Sequence, residues 1–121
     1  MATEFKNILE KTSQKYAATI KDVDDVVIPA ASLTTLTLTL YSLHSLVVVN
    51  SRTTQDILNA NNVTVSVAGA LVWELQPADT AIIDDARSIE IHRALFEWTW
   101  GGGKAGKHQV DFYITNVKKV T

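Results

Sequence analysis

The segment Gly101-Gly102-Gly103-Lys104-Ala105-Gly106-Lys107-His108 satisfies G-x-x-x-x-G-K, the spacing with which a glycine-rich loop cradles phosphates. That chemistry also needs Ser or Thr after the lysine to hold magnesium, and a helix whose N-terminus faces the phosphates. Here His108 follows, and the residues beyond it alternate as a strand does, so the segment reads as a hairpin turn. His44, His92 and His108 are numerous enough for zinc, but they stand on separate segments with no H-x-H or H-x-x-x-H pair. Asp24-Asp25 and Asp84-Asp85 lack the compact run of oxygen donors that calcium requires. No serine sits in G-x-S-x-G. The expectation is a chain with no catalytic residue, no metal ligand and no cofactor. Trp73, Trp98 and Trp100 leave two uses open: rings that stack on sugars, as in a carbohydrate-binding module, or filling for a core. Trp98 and Trp100 share a face with Phe96, and Trp73 shares one with Leu71 and Leu75, which favours the core.

The elements that must carry these residues are mostly strands. Residues 88–117 read as two long arms joined by GGGKAG, which holds four of the five glycines. In the first arm Ala94, Phe96, Trp98 and Trp100 alternate with Leu95, Glu97 and Thr99. In the second, Val110, Phe112 and Ile114 alternate with Asp111, Tyr113 and Thr115. Between Ile91 and Ala94 the inward phase slips by one residue, which predicts a β-bulge near His92-Arg93. Leu36, Leu38 and Leu40 alternate with Thr35, Thr37 and Thr39, a strand with one buried face. Val26 to Pro29 reads as a short edge strand, and Leu46 to Val49 as a further strand or the far end of the preceding one. A short helical turn is expected at 55–59, and residues 63–67 and 71–76 read as a hairpin closed by Gly69.

Residues 3–20 predict one helix. Phe5, Ile8, Leu9, Thr12, Tyr16 and Ile20 fall at spacings of three and four, with Thr3 as N-cap. Such a helix either packs on its own domain or forms an arm that docks on a neighbouring subunit. The expected architecture is mainly β: an immunoglobulin-like antiparallel β-sandwich over 26–121, with one N-terminal α-helix and connector over 1–25. An incomplete barrel is the alternative.

A chain of 121 residues buries roughly two thirds of its unfolded surface and needs no staple to fold. It has no cysteine, so disulfides and thiolate metal sites are excluded. The net charge of −2 argues against a nucleic-acid partner, and no apolar run is long enough for a membrane span.

From Val27 onward the chain resembles small immunoglobulin-like domains of tailed-bacteriophage structural proteins. The likeness rests on Ile28-Pro29-Ala30-Ala31, on Leu36 to Tyr41, on Asn50-Ser51-Arg52 leading to Asn59–Asn62, on Trp73 to Ile82, and on His92 to Trp100 with its glycine turn. It implies a non-enzymatic, multi-copy virion component of the tail, baseplate or neck, assembled in the host cytoplasm, homo-oligomeric, and partnered by other virion proteins. A capsid decoration protein is the alternative within that class. On this likeness the contacts are edge strands, the polar loop 50–62 with Arg52, the basic turn with Lys104 and Lys107, and the helix stripe of Phe5, Ile8, Leu9 and Tyr16.

Overall fold

The computed structural model describes residues 4–22, 24–84 and 86–117. Its elements are β1 (Glu4–Leu9), β2 (Gln14–Thr19), a 3-10 turn (Ala30–Ser32), β3 (Leu33–Ser42), β4 (Gln55–Asp56), β5 (Val63–Val65), β6 (Ala70–Leu75), β7 (Ile89–Trp100) and β8 (Lys104–Thr115). They form two sheets, ordered β1-β8-β7-β3-β4 and β2-β6-β5. All pairings are antiparallel except β1 with β8.

Alternation builds the core from both sheets. Leu36, Leu38 and Leu40 of β3, Ala94, Phe96, Trp98 and Trp100 of β7, and Val110, Phe112 and Ile114 of β8 are buried, as are Val63, Val65, Leu71, Trp73 and Leu75 of the smaller sheet. The sheets meet through rings. Trp73 makes edge-to-face contacts with Phe96 and Phe112, ring centres 5.8 and 5.6 Å apart, and Tyr16 stacks on Phe96 with centres 5.9 Å apart. Each such pair contributes about 0.5–1.5 kcal/mol beyond the area it buries. The hairpin of β7 and β8 reverses at Gly101, Gly102 and Gly103, whose φ values of 40°, 76° and 99° suit glycine. At Gly106 a Cβ would stand 2.6 Å from the Trp98 indole, so the ring lies directly on the backbone of β8.

The N-terminal helix is absent; residues 4–19 are two strands in different sheets. Ile8, Thr12, Tyr16 and Ile20 are four apart, and four is a multiple of two, so the same stripe suits one face of an extended chain. Leu9, needed on the helix stripe, is 53% exposed. The break between the strands is held by distant bonds. Lys11 has φ 55°, its N–H donates to the Thr80 carbonyl, and Thr80 Oγ1 both accepts from Thr12 N (2.9 Å) and donates to Thr12 O (3.0 Å). With no helix, the docking arm built on it loses its basis, and residues 4–19 belong to the two sheets.

Smaller expectations also change. β7 pairs with β8 and with β3 without interruption at His92-Arg93, and the irregularity lies between Leu33 and Thr35. The helical turn at 55–59 is instead β4 followed by a turn. Val26 to Pro29 makes only the bridge Lys21↔Val27, and Leu46 to Val49 only Tyr41↔Val48.

Candidate interaction site

The side chains best equipped for chemistry lie inside. Asparagines and their neighbours in the 50–62 loop adopt positive φ, including Asn50, Asn59, Asn61 and Asn62, and so wrap the loop around Arg52. Arg52 is 2% exposed. Its Nε and Nη2 donate to the two oxygens of Asp79 (2.6 and 3.1 Å), and its remaining N–H groups reach Gln55 Oε1, the Asn61 carbonyl and Asn62 Oδ1. The guanidinium also lies 5.5 Å from the Trp73 ring centre. Asp79 in turn accepts from Asn50 Nδ2 and Gln76 N. Arg52, expected at a surface contact, is therefore an internal tie between two loops, its donors already matched.

Glu90 and His92, both fully buried, form a second cluster. Glu90 accepts the N–H groups of Ile83 and Asp84, each at 2.9 Å, and its carboxylate bonds His92 Nε2. His92 Nδ1 donates to the Asp79 carbonyl at 3.2 Å. Burial alone would raise the Glu90 pKa, but the two N–H groups and the imidazole beside it outweigh burial and hold it below its ordinary value. An acid and a base in contact are a catalytic arrangement only where substrate can reach them, and these are sealed. They anchor the 77–84 loop to β7. An apolar rule places Ile91 inward, and so leaves Glu90 unmarked and puts His92 in a bulge; their shared parity with Ala94, Phe96 and Trp98 is the signal that marks them as buried.

The other expected residues are dispersed. His44 Nε2 accepts from Ile91 N, while His108 Nε2 bonds Tyr16 Oη at 2.7 Å. Among the described residues no group of three or more His, Cys, Asp or Glu could hold a metal ion. The glycine turn leads into β8, with Lys104 exposed and Lys107 paired with Glu97 at 3.4 Å. Trp73, Trp98 and Trp100 are buried and present no ring platform. Ile8 is half-buried against the core, Leu9 is exposed, Tyr16 is buried, and the Phe5 side chain lies outside the described residues.

What stays open is backbone. β2 is one of the two outer strands of the smaller sheet, the longer of the pair. Ile20 N donates to Gly69 O, so the even-numbered residues of β2 turn their N–H and C=O groups toward β6. Those of Lys15, Ala17 and Thr19 face away, and no described strand meets them. Hollows flank this edge. One of about 180 Å³ is lined by Asn7, Ile8, Gln14, Lys15, Tyr16 and Phe112, and one of about 330 Å³ by Thr19, Lys21, Asp22, Asp25, Trp98 and His108.

Compared with known proteins, the chain matches no family model, no curated protein and no solved structure.

Proposed function

We propose that this chain is a non-enzymatic structural protein of a bacteriophage virion, a multi-copy tail, baseplate or neck component that works through protein–protein contacts. The observation that carries the reading is where apolar surface is left in water. Leu46 is 70% exposed and Val47 48% in the turn after β3, and Ile89 and Val117 are about half exposed where β7 begins and just after β8 ends. Scattered apolar residues are ordinary, but several near one end of a sheet favour a contact surface. The strand order also supports an immunoglobulin-like sandwich: a terminal hairpin paired with β3 in one sheet, and a three-stranded partner sheet whose rings pack against it. Several residues on which the phage likeness rests lie in the interior, as they would in any two-sheet domain. Trp73, Asp79, His92, Phe96, Trp98 and Trp100 are all buried.

Light scattering on the purified chain tests the reading. A homo-oligomer is expected, and Leu46→Asp with Ile89→Asp should dissociate it while the fold, read by circular dichroism, survives. A parent chain that stays monomeric at high concentration and does not enter particles would remove the proposal.

A further inference from the structure

We infer that the outer edge of β2, which no other described strand pairs with, is an acceptor for an extended segment of another polypeptide, which adds to the smaller sheet as a fourth strand. This inference rests on the assembly reading above and names the kind of partner it uses.

The backbone defines the occupant. Lys15, Ala17 and Thr19 present three N–H groups and three carbonyls in a row, at the period a strand requires, with no described strand against them. A helix carries no free main-chain groups along its side, and a small molecule matches one or two of these positions, so the row selects a strand. The hollows then define the side chains. An added strand beside β2 would turn alternate residues inward, over Ile8 and Phe112 at one end and over Ala18 and Trp98 at the other. Those floors are mixed: Ile8, Tyr16 and Phe112 favour an apolar inward side chain at one end, while Lys21, Asp22, Asp25 and His108 surround Trp98 at the other and favour a polar one. The partner is thus an extended segment bound main chain to main chain, apolar toward Phe112 and polar toward Asp22 and Asp25.

The edge also carries little that would prevent pairing. Edge strands are commonly blunted by proline, bulges, inward charges or several exposed lysines. β2 has no proline, pairs with β6 in unbroken register, and bears a single charge, Lys15, beside Glu74 at 3.9 Å.

The probe is a capped octapeptide alternating threonine with valine, titrated into the full chain and followed by NMR amide exchange. The expected result is at least tenfold slower exchange at Lys15, Ala17 and Thr19, with the even-numbered β2 amides unchanged. Ala17→Pro removes an outward N–H without touching the bonds to β6, and should abolish the protection. Thr19→Pro serves the same purpose if the first variant fails to fold. Unchanged exchange at millimolar peptide, protection on another edge, or protection that survives a folded proline variant would each overturn the inference. A chain that oligomerises yet shows no protection rejects the acceptor edge alone. A chain that protects these amides yet never assembles rejects the virion reading alone.

Discussion

The knot around Asp79 and the edge of β2 are opposites. The knot holds arginine, aspartate, glutamate and histidine within bonding distance, the types from which active sites are made. Every one is buried and matched. The edge holds lysine, alanine and threonine, which suggest no chemistry, yet its backbone groups have no strand beside them among the described residues. The contrast teaches that a site is marked by bonding capacity left unmet in reach of solvent, and not by reactive side-chain types.

The most damaging way to probe that contrast is to unpair the knot. Asp79→Ala leaves the Arg52 guanidinium buried without its carboxylate, and should cost about 3–5 kcal/mol in urea unfolding. Replacing both partners by apolar residues, Arg52→Met with Asp79→Leu, should recover much of that loss, because no buried charge then remains.

The second test is acid. Folding lowers the Glu90 pKa below its ordinary 4.5. Its contribution is complete above that value and is lost as pH falls through the lower folded value. Glu90→Gln should therefore be less stable than the parent by about 1–3 kcal/mol at neutral pH. The gap should close in acid, and a gap independent of pH would show that the carboxylate charge is not what holds the 77–84 loop.

At the edge the smallest effect is expected. Lys15 and Glu74 are both largely exposed, and such pairs contribute little. Lys15→Ala should change unfolding free energy by less than about 0.5 kcal/mol. A larger loss would mean that the edge serves the fold itself.

Much of the architecture could be read from residues in order. The leucine–threonine run of β3, the hairpin of β5 and β6, and the glycine-closed hairpin of β7 and β8 all follow from a local period and a local turn. The tryptophans belonged inside because each shared parity with other apolar residues. Polar residues that share the buried parity were harder. Glu90 and His92 lie in phase with Phe96, but an apolar rule assigns the inside to Ile91 and invents a bulge to repair the count.

Local pattern determined the strand faces, the reversal at Gly101–Gly103 and the absence of a thiol framework. Packing alone decided the rest. Whether residues 4–19 coil or extend depends on β1 pairing with β8 and β2 with β6, and on Thr80 bonding Thr12 at the break across 68 positions, partners that no window of neighbouring residues contains. The burial of Arg52 depends on Asp79, 27 positions away. The openness of β2 depends on which strand is its neighbour and which is not. Periodicity is a property of adjacent residues, whereas pairing is a property of distant ones brought together, and in this chain the interior chemistry and the exposed edge both arise from pairing.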